Sequence, residues 1–269
     1  MIAVATSLSR AADITPAQLI SRHLDSIGSP EARNVKSRVV QGLATYRIYS
    51  GGSGAIDGKA VFATEGRKSN FLFKINTNGY RGEQFICSGD KTSIAGTYSD
   101  KTRSELGDFL LSQDIMLRES LIGGVLSSGW PLLNVEEHKA HVHFEGSKKV
   151  SGRELLVLRY RPSRGTDLDI AMYFDPQTYQ HVLTTYKASQ QTGLGEGELA
   201  TARKLPTRYE IEERFSDFKT TDGLTLPSHY ELRFTVEQET GFTKSVAWEV
   251  RTSSVMNNLS IDPRSFEVK

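Results

Sequence analysis

The chain has 269 residues, with 33 basic and 32 acidic side chains and a formal net charge of +1. That balance supplies no global field to draw the protein onto nucleic acid or an anionic membrane, and the length suits a single all-β domain. The longest apolar runs, such as Leu121 to Leu126, fall far short of the ~20 residues a membrane-spanning helix needs, so the chain is expected not to be an integral membrane protein.

Residues 1–12 lack the apolar core of roughly 7–15 residues that defines a signal peptide. Their small residues, Ala3, Ala5, Ala11 and Ala12, suit the tail of a trimmed leader or a disordered end. A single cysteine, Cys87, rules out an internal disulfide, so stability rests on core burial.

The first predicted element is a helix. Thr15 can cap it, Pro16 fits its first position, Gln18 completes a capping box, and Ile14 and Leu19 form a staple. Ile20, His23, Leu24 and Ile27 then share one face, and Gly28 followed by Pro30 stops the helix.

From Val35 to about Tyr98 the pattern turns to strands: Val35 to Tyr49, Lys59 to Thr64, Ser69 to Ile75, Tyr80 to Cys87, and Thr92 to Tyr98. Gly51 to Gly54, Asn78-Gly79 and Gly89-Asp90 are the tight turns that would join them as antiparallel hairpins. Thr102 to Leu126 then reads as helical. Leu106, Leu110, Leu117, Leu121 and Val125 lie near one stripe that Ile115, Ile122 and Leu126 widen. A break is expected between Ser112 and Asp114, and Gly123-Gly124 weakens the end of the second helix.

Seven further strands follow: Val142 to Val150, Glu154 to Arg161, Leu168 to Asp175, His181 to Ala188, Thr207 to Phe218, Thr225 to Glu239 and Thr243 to Ser254. Leu224, Leu226, Tyr230, Leu232, Phe234 and Val236 alternate with polar residues, the signature of a sheet with one wet face, and Val246, Trp248 and Val250 repeat it. Gln190 to Lys204, with three glycines, is the candidate for a mobile hairpin loop.

No catalytic constellation emerges. His141 and His143 could share a strand face near His138, Glu136, Glu137 and Glu145, but Val142 and Phe144 occupy the other face, so a polar outer face explains the pattern better than zinc. Gly52-Ser53-Gly54 lacks the strand-to-helix elbow of a nucleophilic serine. Neither glycine cluster precedes the helix that a phosphate-binding loop requires. Cys87, beside Ile86, reads as a small core residue. The adjacent carboxylates Glu212-Glu213 and Glu136-Glu137 would point to opposite strand faces and form no acid/base couple. Phe62, Phe71, Phe73, Ile75, Phe85, Phe234 and Trp248 are core residues first, lining either a closed interior or a ligand cavity.

Three segments carry a resemblance: Gln18 to Gly28 leading into Ser37 to Gly42, the turn Tyr173-Phe174-Asp175-Pro176-Gln177-Thr178, and Arg214 to Pro227 (RFSDFKTTDGLTLP). With the order of elements, they resemble the bacterial periplasmic lipoprotein carriers and outer-membrane lipoprotein-sorting proteins, the LolA/LolB-like superfamily. The resemblance implies one mainly β domain over residues 1–269. Its fold would be a single curved antiparallel sheet, an unclosed β-barrel, with an N-terminal helix and a central helical insertion covering the concave face. It also implies a periplasmic or otherwise exported protein, without enzymatic activity or cofactor, and an arginine beside the cavity that no motif here fixes to one position. Its partner would be an apolar lipid or an acylated protein, with a membrane-associated protein as a further partner and no nucleic acid. Phe71, Phe73, Leu110, Leu117, Leu121 and Trp248 become the candidate ligand-binding residues. A non-transporting sensor or interaction module of the same fold is the alternative, and a metal-dependent hydrolase using the His138 region a weaker one.

Overall fold

The structure, a computed structural model, describes residues 14–50, 54–77, 80–97, 103–190 and 206–268. It opens with α1 (Pro16–Ile27), where Thr15 Oγ1 accepts the Gln18 N–H at 3.2 Å and Gln18 Oε1 accepts the Thr15 N–H at 2.9 Å, completing the expected capping box. Leu19, Ile20, His23 and Ile27 are buried on its inner face, while Leu24 is only half-buried. Leu19 has no exposed surface, so Leu19→Ala should cost about 3 kcal/mol in urea unfolding, the usual scale for a core leucine. A cost below about 1 kcal/mol would mean that α1 is not docked through this residue. A single turn, α2 (Pro30–Arg33), follows.

Twelve strands then form one antiparallel sheet: β1 (Ser37–Ile48), β2 (Gly54–Glu65), β3 (Lys68–Lys74), β4 (Glu83–Ser88), β5 (Thr92–Gly96), β6 (His141–Val150), β7 (Arg153–Arg161), β8 (Asp169–Phe174), β9 (His181–Gln190), β10 (Thr207–Thr221), β11 (Leu224–Glu237) and β12 (Thr243–Asn257). The spatial order is β5-β4-β3-β2-β1-β12-β11-β10-β9-β8-β7-β6. Each half is therefore a meander of hairpins, and the two are stitched through β1 and β12, with Ala44 opposite Val250 and Tyr46 opposite Trp248. β5 and β6 form the two outer edges, so the sheet is an unclosed barrel. The other α-helices, α3 (Glu105–Ser112), α4 (Ile115–Arg118) and α5 (Val135–His138), lie in the stretch that joins those edges.

Strand alternation sets the core. Tyr230, Leu232, Phe234 and Val236 of β11 and Val246, Trp248 and Val250 of β12 are buried on one face, as their period of two requires. The tight β10–β11 turn is Asp222-Gly223, with φ of 51° and 77°, the positive angles of a two-residue hairpin. Gly28 ends α1 against this turn, where a Cβ would stand 2.4 Å from the Gly223 carbonyl oxygen. The turn after β8 docks the other side of α1, because the Tyr179 carbonyl accepts from His23 Nδ1 at 2.8 Å. The motifs singled out in the sequence thus meet around one helix. The expected turns at residues 51–53 and 78–79, the leader-like residues 1–12 and the loop at 191–204 lie outside the described residues.

Candidate functional site

The segment joining β5 to β6 departs from its sequence pattern. Two helices were expected up to Leu126, but α3 has eight residues, α4 is one turn, and the chain continues as turns and short 3-10 segments at Gly124–Leu126 and Pro131–Leu133. Ser120, Gly123 and Gly124 take φ of 53°, 85° and 51°, which no continuous helix permits. Gly123 and Gly124 are needed for close approach as well, since a Cβ on Gly124 would lie 2.6 Å from the Phe215 ring. Glu136, Glu137 and His138, expected beside a strand face, form α5 instead.

This insertion lies against the concave face and is apolar nearly all round. Leu106, Phe109, Leu110, Met116, Leu117, Leu121, Ile122, Val125, Leu126, Trp130 and Leu132 are all buried in the main core. Such an irregular buried segment leaves backbone groups without helical partners, and each must find one elsewhere. Side chains at inward positions of the sheet supply them. Glu213, between Ile211 and Phe215 on β10, accepts the Gly123 N–H at 2.7 Å. Tyr186 of β9 reaches the Leu121 carbonyl at 3.2 Å. Arg38 of β1 donates to the Val125 carbonyl at 2.5 Å. Thr64 Oγ1 of β2 accepts the Ser128 N–H at 3.0 Å. Glu83 of β4 accepts from the Ser104 N–H at 2.6 Å and the Ser104 hydroxyl at 2.7 Å, where Ser104 caps α3.

Burial perturbs the charged members of this set. Desolvation pushes the Glu213 carboxyl up to about 7, although Gly123, Tyr186 and Tyr230 each donate to it and favour its ionised form. The Tyr186 and Tyr230 hydroxyls stand at 2.7 Å from its two oxygens. Burial also raises Glu83 and lowers Arg38 to about 10. Arg38 makes its other hydrogen bond to Asn257 Oδ1 at 2.8 Å. Arg38 was not singled out from the sequence, but its position two residues before buried Val40 on β1 places it on the inner face.

Nearby, His23 is pushed down to about 4 by burial and His181 well below its ordinary value for the same reason. They pack with Trp130, whose ring stacks on His181 at 4.9 Å and meets His23 edge-on at 5.3 Å. A buried pair, His138 Nδ1 and Glu119 Oε2 at 2.9 Å, ties α5 to the turn after α4.

The six candidate ligand-binding residues all belong to this interface. Phe71, Phe73, Leu110, Leu117, Leu121 and Trp248 sit in one continuous core, none more than 2% exposed. Gly123 passes over the Phe71 ring, and Phe73 contacts Trp248 with centroids 6.4 Å apart. The insertion therefore occupies the concavity where a ligand would lie. His141 and His143 are exposed at the start of edge strand β6, apart from buried His138. Cys87 has no exposed surface, and burial raises its thiol. Glu212 and Glu213 point to opposite faces as their spacing requires, Glu212 pairing with Arg214 at 2.8 Å outside. Ser53 lies outside the described residues. Among the described residues no helix is long and apolar enough to cross a membrane.

No protein-family profile matches the chain, and no curated protein matches it in sequence. Similar solved structures include a LolA superfamily protein from Nitrosomonas europaea, at 11% identity and TM-score 0.48 over 95% of this chain and 98% of the other. A DUF1329 family protein from Desulfovibrio piger shows 12% identity and TM-score 0.47 over 93% and 96%. An outer membrane lipoprotein-sorting protein domain from Vibrio parahaemolyticus shows 9% identity and TM-score 0.41 over 92% and 95%. The architecture itself, an unclosed antiparallel sheet with helical segments across its concave face, is the fold expected from the sequence.

Proposed function

We propose that this chain is a periplasmic binding or carrier protein for lipid or lipoprotein acyl chains, without enzymatic activity. The acyl chain occupies the space between the sheet and the insertion. One observation carries the reading: the concave wall is mainly aromatic and aliphatic, broken only by the few polar side chains that hold the insertion, yet it is covered by a segment of short helices and turns rather than by a long, self-supporting element. Displacing that segment exposes Phe71, Phe73 and Trp248 on one side and Leu110, Leu117 and Leu121 on the other. Sequestering an acyl chain there is favoured by about 0.8 kcal/mol per buried methylene, which offsets the apolar contacts the insertion gives up.

The complete filling of the concavity favours a second reading, a sensor or interaction module that binds a partner protein and carries no lipid. Titration with a fluorescent fatty acid separates the two. Saturable binding with a dissociation constant near micromolar, about −8 kcal/mol, is the expected result. A folded protein that binds no probe leaves the interaction module as the reading to pursue.

A further inference from the structure

β11 and β12 are neighbours for only part of their length. Their pairing runs from Glu237 opposite Thr243 to His229 opposite Arg251 and stops there. Beyond that point β11 continues as Leu224–Pro227 paired only with β10, and β12 continues to Asn257 paired only with β1. Two irregularities part the strands. On the β12 side the register with β1 shifts between Gln41 and Gly42, leaving Ser253 as an extra residue whose hydroxyl donates to the Gln41 carbonyl at 3.1 Å. On the β11 side Asp217 takes φ of 54° and its carbonyl accepts from Ser228 Oγ at 2.6 Å, while Pro227 brings no N–H to a ladder.

The result is a fork in the sheet, a cleft of about 350 Å³ lined by Leu224, Leu226 and Pro227 on one rim and Thr252, Ser254 and Val255 on the other. In an antiparallel strand alternate residues direct N–H and C=O groups to either side. Each rim is hydrogen-bonded on its far side only, so each presents unused main-chain groups to the cleft. Thr252 adds a buried hydroxyl with no partner among the described residues.

We propose that this fork is a docking slot for an extended polypeptide segment of a partner protein, held by main-chain hydrogen bonds to the rims at Leu224–Ser228 and Thr252–Asn257, with an apolar side chain against Leu226, Pro227 and Val255. The chemistry selects this occupant over an acyl chain. Hydrocarbon in the fork would strip water from the rim groups and return no hydrogen bond, at a cost that grows with each group covered. An added strand satisfies the same groups and leaves side-chain pockets to set preference. The inference is independent of lipid carriage, because none of the six candidate ligand-binding residues lines the fork.

The test uses the full chain and a blocked hexapeptide, acetyl-Ser-Val-Ser-Val-Lys-Val-amide, beside the same peptide N-methylated at alternate residues. Amide exchange in the free protein is expected to be fast at the cleft-facing amides of the rims and to slow there about tenfold or more when the plain peptide saturates the fork. N-methylation should weaken binding at least tenfold, about 1.4 kcal/mol. Ser254→Trp, which fills the cleft from a half-exposed position, should do the same while the melting curve is unchanged. Cleft-facing rim amides already protected in the free protein, equal binding of the two peptides, binding indifferent to Ser254→Trp, or no saturable binding would each overturn the proposal. So would a fluorescent fatty acid that protects the rims in place of the peptide.

Discussion

Glu213→Gln is expected to stabilise the protein by about 2–3 kcal/mol at pH 8 and to leave it nearly unchanged at pH 4. The carboxyl has no exposed surface, and burial lifts it from 4.5 to about 7. A group whose folded-state value is raised holds its proton more tightly in the native state, so its contribution is complete below the unfolded value and is lost as pH rises through the folded one. For Glu213 the loss falls between about pH 4.5 and 7, and amounts to roughly 3 kcal/mol at 1.36 kcal/mol per unit. Glutamine removes that loss. It keeps an acceptor for the Gly123 N–H, while Tyr186 can donate to the Leu121 carbonyl and accept from the new amide. His23 and His181 act in the opposite direction. Both are held neutral by burial, so the stability this preserves is lost as pH falls below about 6.5, for His23 down to about 4. The parent should therefore show a stability maximum in mildly acidic solution, and Glu213→Gln should shift it upward. Denaturant unfolding across this range is the measurement. A variant less stable than the parent at pH 8 would mean that the three donors outweigh burial and that the ionised carboxylate is the preferred partner of the insertion.

Leu121→Asp is expected to have the larger effect, a loss of about 4 kcal/mol or more, because an unpaired carboxylate would be forced into a site with no exposed surface. The damage should be local first. Hydrogen exchange across 105–138 should rise toward that of an unprotected chain, while the β1–β12 seam, built from long paired strands, keeps slow amides. Uniform loss of protection would show that the insertion and the sheet form one cooperative unit. An unchanged melting curve would mean that Leu121 is not held against the sheet.

The contrast between sheet and insertion also explains what could be read from the sequence. The capping box of α1 is local chemistry, and Thr15, Pro16 and Gln18 suffice to place it. The strands announce themselves through alternation and through turns such as Asp222-Gly223, where only certain residues tolerate the backbone. The seam between β1 and β12 left no such sign, because it joins residues about two hundred positions apart and depends on the closure of both meanders. The insertion misled for a different reason. Helical periodicity identifies an element with one wet face, and here nearly every side is buried, so apolar residues at helical spacing extended α4 far beyond its single turn.

The polar ties were partly legible. Arg38, Glu83 and Glu213 each stand at the inward parity of an otherwise apolar strand face, beside Val40, Phe85 and Ile211. A charge at such a position demands a partner. Its spacing could have flagged these residues, but that their partners are backbone groups of the insertion depends on tertiary structure alone. Likewise Pro227 marks a place where a strand cannot be fully paired, without revealing that β12 leaves it at the same level.

On the proposed function, apolar ligands enter by displacing the insertion from the concave face, and cross-linking the two tests this most directly. Thr64 and Ser128 adjoin across the interface, the Ser128 N–H lying 3.0 Å from Thr64 Oγ1. The double variant Thr64→Cys with Ser128→Cys can therefore be oxidised to pin the insertion to β2 and released with a thiol. Fluorescent fatty acid binding is expected to fall at least tenfold, about 1.4 kcal/mol, in the oxidised protein and to return on reduction. Equal affinity in the two states would contradict the account and place the ligand outside the space beneath the insertion.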